Sequence, residues 1–265
     1  MDTEHYMTGH KGYGGRGMTL ATAMAISGAA ANPNTGVAGG GLMRNRLVSL
    51  LMSLLNVRLG YWGSNPRLKM RGRPNYIVPG LRGVLGLGLN EEKRAVELTD
   101  GGHFENLGIY ELVRRQAKLI IVSDGACDFE FGFGDLANAT ERVRADFGAE
   151  IRFDNDRYGL EGLIPGSAGE GTQAEKYKLA QRGFAVGTIT YRDADPGTLL
   201  YIKSTLTPGL SPDLYGYRSA NPTFPDQTTA DQWFDEAQFE AYRELGKQLG
   251  EQLLAENEKF GGAWV

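Results

Sequence analysis

At 265 residues, 41% hydrophobic and 23% charged, the chain carries enough apolar material for one large α/β domain and lacks the composition of a disordered segment. A formal net charge of −4, with no run of Lys or Arg, excludes a broad phosphate-gripping surface and with it nucleic acid as a partner. A single cysteine, Cys127, cannot close an internal disulfide, and His5, His10 and His103 are too scattered for zinc spacing; no metal or cofactor is expected, and a reducing, cytoplasmic setting fits.

Residues 1–17 are polar and glycine-rich, without the charged and apolar regions of a secretory signal. The formal Gly-x-Gly-x-x-Gly at Gly12, Gly14 and Gly17 follows no strand pattern and opens no amphipathic helix, which argues against dinucleotide binding. A helix is predicted over about 42–59, and its apolar stretch, Leu47–Val57, is far shorter than the about 20 residues a membrane span requires. Apolar on most sides, it reads as a buried core helix, with an acyl-chain pocket or a membrane-leaning surface as the alternatives. Arg58, Arg67, Arg71 and Arg73 follow it; they form either a solvated face or a contact to lipid phosphates at a membrane surface.

A strand is predicted to end near Asp100, followed by a helix over about 105–117. Asn106 would cap it, Ile109, Leu112, Val113 and Gln116 share a face, and Arg114 and Arg115 sit in the last turn, where the helix dipole favours cations. The run Leu119-Ile120-Ile121-Val122, closed by Ser123-Asp124-Gly125, has the pattern of a strand buried on both faces of a parallel sheet, so 98–124 reads as a βαβ unit. Residues 159–175 have no apolar period and read as a mobile loop. Phe184–Tyr191 and Leu199–Leu206 form a predicted hairpin around Asp195-Pro196-Gly197. From Thr229 the pattern is helical, with an apolar stripe of Phe234, Phe239, Tyr242, Leu245, Leu249 and Leu253.

The stretch Glu97-Leu98-Thr99-Asp100-Gly101-Gly102-His103-Phe104-Glu105-Asn106-Leu107-Gly108 carries the clearest chemistry. An aspartate at a strand end, followed by two glycines, can project its carboxylate into a crevice while the bare backbone leaves room for a substrate; a plain turn uses the same residues. This stretch, continuing to Tyr110-Glu111-Leu112, resembles the Asp-Gly-Gly/Ala segment of patatin-like phospholipases, in the bacterial branch related to cytosolic phospholipases. Ala23 to Asn34 is similar to that family's Ser-x-Ala-Ala-x-Pro segment, and Asn221 to Arg243 also resembles the branch. The three motifs occur in the family's order, over about residues 12–246.

The resemblance implies a patatin-like three-layer α/β domain over 1–265, with a mainly parallel sheet, a C-terminal hairpin and a long helix. It implies lipid acyl hydrolysis by a Ser–Asp dyad, in which the aspartate takes the serine proton directly and an acyl-serine intermediate forms. Asp100 is then the dyad acid/base, with Gly101, Gly102 and His103 lining the substrate site. Glu105 flanks the dyad or starts the helix. Asp124, at the tip of a second strand, is a further substrate-binding candidate or a turn cap. The expected partners are a lipid or ester substrate and a membrane surface met peripherally. The family's Gly-x-Ser-x-Gly elbow occurs nowhere in the sequence. The elbow is therefore expected on a missing N-terminal segment, and this chain alone is expected to be inactive. Two alternatives stand beside this. In one, Gly14-Gly15-Arg16-Gly17 is the oxyanion loop and Ser27 the nucleophile of a complete small esterase, against which the short spacing and Pro33 weigh. In the other, the chain is a non-catalytic lipid- or partner-binding lobe.

Overall fold

The computed structural model describes residues 20–28, 61–65, 82, 92–153, 157–228, 231, 233–259 and 262. The expected helix over 42–59, the four arginines after it and the glycine-rich 12–17 lie outside these residues. The chain divides into two compact units, Met1–Asn106 and Leu107–Val265.

In the first unit, helix α1 spans Leu20–Ser27, and strands β1 (Tyr61–Ser64) and β2 (Ala95–Leu98) pair antiparallel from Tyr61↔Leu98 to Ser64↔Ala95. Asn65 extends the ladder: its backbone N–H donates to Arg94 O at 2.9 Å and its side-chain Nδ2 to Lys93 O at 2.8 Å.

The second unit begins with α2 (Ile109–Arg114) and β3 (Leu119–Asp124), continues through α3 (Gly134–Phe147) and β4 (Glu150–Arg152), and after α4 (Thr172–Tyr177) enters β5 (Phe184–Thr190) and β6 (Gly197–Lys203). Two helices close it, α5 (Pro212–Ala220) and α6 (Glu236–Lys259). The four strands form one sheet in the order β3-β6-β5-β4. β3 and β6 are parallel, while β5–β6 and β4–β5 are antiparallel, so the sheet is mixed and not mainly parallel as expected. The cause is the hairpin. Its turn is short enough only for antiparallel neighbours, and β6 alone then lies along β3.

The βαβ expectation fails for a related reason. β2 pairs with β1 in its own ladder, and the parallel partner of β3 is β6, drawn in from far along the chain. β3 is also not buried on both faces: burial alternates along it, with Ile120, Val122 and Asp124 inside and Ile121 53% exposed. β6, flanked on both sides, is the strand with near-continuous burial, from Leu199 to Tyr201.

Helices cover both faces of this sheet. Ile109 and Val113 of α2 and Leu136, Ala139 and Val143 of α3 pack with Ile120, Val122, Leu199 and Tyr201. On the other face Leu200 and Phe184 meet Tyr158 and Leu253 of α6. α2 is shorter than predicted and begins at Gly108, whose left-handed φ of 72° is the N-cap in place of Asn106; the residues before it are used by a separate turn. Within 159–175 the chain forms a 3-10 turn at Leu160–Leu163, with Leu163 fully buried, and the start of α4.

α6 buries Gln238, Ala241, Leu245, Leu249 and Leu253, spaced by three and four residues. Phe234 and Phe239, assigned to the stripe from sequence, are 45% and 62% exposed. Gln238 occupies the buried position because its amide donates to Gln227 Oε1 and Asp231 Oδ2, both at 3.1 Å, which removes the cost of burying it. Leu249→Ala should therefore lower stability in urea titration by about 2–5 kcal/mol, whereas Phe239→Ala should change it by less than about 0.5 kcal/mol.

Candidate functional site

Two strand ends carry the candidate site residues, one in each unit. Asp100 lies just beyond β2 and caps a 3-10 turn over Gly101–His103. Its Oδ1 accepts from Gly102 N–H at 2.8 Å, and the backbone turn is closed by Phe104 N to Gly101 O at 2.9 Å and Glu105 N to Gly101 O at 3.0 Å. Among the described residues no donor reaches Oδ2, and the side chain is only half-buried. One oxygen is thus fixed by the turn itself. A Cβ at Gly102 would stand 2.4 Å from Asn106 Oδ1 and 3.2 Å from Asp100 Oδ1, whereas at Gly101 it would meet nothing within 4 Å. The second glycine is the one that keeps the carboxylate in place. His103 Nδ1 lies 3.3 Å from Thr99 Oγ1, which ties the ring to the strand side of the turn.

Ser27 is the last residue of α1 and is exposed. A nucleophile elbow places its serine after a strand and at the opening of a helix. Ser27 is preceded by helix.

At the other strand end Asp124 has the same Asp-Gly sequence and makes the same kind of turn, its Oδ1 accepting from Ala126 N–H at 2.8 Å. The surroundings differ. Because β3 and β6 are parallel and in register Asp124↔Lys203, both C-terminal ends lie side by side. Lys203, 0% exposed, donates from Nζ to Asp124 Oδ1 at 3.2 Å and to Ala126 O at 2.7 Å, and the Tyr201 hydroxyl donates to Asp124 Oδ2. Asp124 is itself 4% exposed, so both of its oxygens are engaged inside the protein. Burial, together with the bond to Asp124, pushes the Tyr201 phenol pKa well above its ordinary value.

This knot anchors the loop that follows, Gly125–Phe133. Asp128 accepts from Gly132 N–H at 3.1 Å and Phe133 N–H at 2.8 Å, and holds Phe131 and Phe133 in the left-handed region, at φ 47° and 52°. Such backbone in bulky residues costs on the order of 1–3 kcal/mol each. The Cys127 thiol donates to Asp226 O at 3.1 Å, and burial raises its pKa. Thr205 and Leu206 follow the end of β6.

Between these two segments and the end of α5 opens a cleft of about 270 Å³, with Phe129, Phe131, Thr205, Lys178, Arg218 and Asp226 on its walls. It stands outside the C-terminal ends of the parallel strand pair, where open α/β sheets place ligand sites. Sequence reading reached Asp124 as a strand tip and missed Lys203, Thr205, Arg218 and Asp226. A lysine ending the apolar run Leu199-Leu200-Tyr201-Ile202 was the available signal. Among the described residues no cluster of three His, Cys, Asp or Glu side chains is placed to hold a metal, and no helix is long and apolar enough to cross a membrane. Compared with known protein families, curated proteins and solved structures, the chain matches none.

Lys203→Met removes the counter-ion of the buried Asp124 and should cost about 3–5 kcal/mol in denaturant titration; adding Asp124→Asn should recover part of that loss. Asp226 gives a pH-dependent test. Burial raises its pKa above the ordinary carboxyl value, so its protonated form is favoured in the fold; the stability this confers is full below the unfolded pKa and is lost as pH rises through the folded one. Asp226→Asn, neutral throughout, should raise the melting temperature at about pH 7.5, with the gain shrinking toward about pH 4.

Proposed function

We propose that this chain is part of a lipid acyl hydrolase of patatin-like type, in which Asp100 is the acid/base of a Ser–Asp dyad. One observation carries the proposal: past the end of β2, Asp100 has one oxygen fixed by the Gly102 amide and the other without a donor among the described residues. A general base requires this combination, an oriented carboxylate with one lone-pair face left for the incoming hydroxyl proton. The glycine pair keeps the adjacent backbone bare, and Gly102 in particular has no space for a side chain.

Asp100 would take the serine proton as the hydroxyl attacks the ester carbonyl, and would return a proton to the leaving alcohol as the acyl-serine forms. Water then repeats the sequence, with Asp100 again accepting its proton. No Gly-x-Ser-x-Gly occurs in the 265 residues, so the serine is proposed to come from outside them, and Ser27, which closes a helix, is not proposed for that role. The expected substrate is a carboxylic ester of a lipid.

Hydrolysis of p-nitrophenyl butyrate by the full open reading frame encoding this chain is the test. Asp100→Asn should lower kcat by about a hundred- to ten-thousand-fold, with KM nearly unchanged and the circular dichroism spectrum retained. Gly101→Ala should keep most of the rate, and Gly102→Ala should lose it by displacing the carboxylate. Turnover indifferent to Asp100→Asn would remove Asp100 from the chemistry.

A further inference from the structure

The cleft beside β3 and β6 brings together polar groups that have hydrogen-bonding capacity left among the described residues. Thr205 is 1% exposed and lines the cleft, yet no described residue hydrogen-bonds its hydroxyl. Arg218, half-buried, has a single hydrogen bond, from Nη1 to the Phe224 carbonyl, and no carboxylate within ion-pair distance; burial lowers its pKa. Lys178, across the cleft, is exposed, caps the end of α4 with left-handed backbone, φ 51°, and has no described partner for its ammonium. A half-buried guanidinium with donors to spare, a second cation and an unused hydroxyl are what an anionic head group requires. Apolar wall comes from Phe129, 64% exposed, from Phe131, 6% exposed, and from several prolines.

We propose that this cleft binds a small amphiphilic anion, its charged head held by Arg218, Lys178 and the Thr205 hydroxyl and its short apolar body lying against Phe129 and Phe131. Asp226 also lines the cleft and does not oppose this. Its Oδ1 faces the Asp128 amide at 3.4 Å, Lys203 as well as Arg218 acts on it electrostatically, and burial works against its ionised form. The site belongs wholly to residues 107–265 and involves no step of ester hydrolysis, so it stands or falls apart from the role of Asp100.

Isothermal titration of the whole chain with octanoate, with 1-octanol and with inorganic phosphate tests the proposal. Octanoate should bind saturably, and the neutral alcohol and the body-less phosphate each at least about tenfold more weakly. Arg218→Gln should weaken octanoate by about tenfold or more, as expected for loss of a charge-assisted hydrogen bond, and Thr205→Val by several-fold. If Arg218→Gln lowers the melting temperature, Lys178→Gln and Thr205→Val carry the comparison in its place. Absence of saturable octanoate binding, equal affinity for the alcohol or for phosphate, or wild-type affinity in the folded variants would each overturn it.

Discussion

The second unit depends on one buried ion pair. Asp124 and Lys203 end the two parallel strands, face each other in register and are both sealed from water. Taking two charges into a protein interior costs several kcal/mol per ion, and mutual attraction offsets this only where further hydrogen bonds satisfy both groups. Here they do: Asp124 also receives the Ala126 amide and the Tyr201 hydroxyl, and Lys203 also gives to the Ala126 carbonyl. The result specifies register, because sliding β3 along β6 by a residue would leave both charges buried and alone.

From this knot the loop after β3 takes its shape. Once Ala126 is held at both its N–H and, through its carbonyl, Lys203, the chain turns sharply and Asp128 gathers the amides of Gly132 and Phe133. Two phenylalanines are thereby kept in strained backbone beside a cleft that contains Thr205 and Arg218. Packing on both faces of the sheet supports this strain. α2 and α3 press on Tyr201 from one side, and α6 covers Leu200 from the other.

Asp100 and Asp124 make an instructive pair. Both follow or end a strand, both precede glycine, and both cap their turn by accepting an amide two residues on, at 2.8 Å in each case. At Asp124 the neighbouring strand contributes a lysine and a tyrosine that consume the rest of the carboxylate. At Asp100 no donor among the described residues takes the second oxygen. Local sequence sets the turn, and the neighbouring strand decides how much of the carboxylate the fold engages.

What the sequence determined by itself were the features encoded within a few residues. The strand at Leu119–Asp124, the hairpin around Asp195-Pro196-Gly197, the long last helix and the turn at Asp100 were all legible, because apolar period and turn chemistry act between near neighbours. Tertiary structure alone decided the mixed order of the sheet, the exposed face of β3 and the rotation of α6 that buries Gln238 in place of Phe239. It also assembled the ion pair and the cleft. Lys203 and Asp124 are 79 positions apart, and no local pattern reports which strand will come to lie beside which. Pairing partners and burial are properties of contacts between distant segments, and those exist only once the chain has folded.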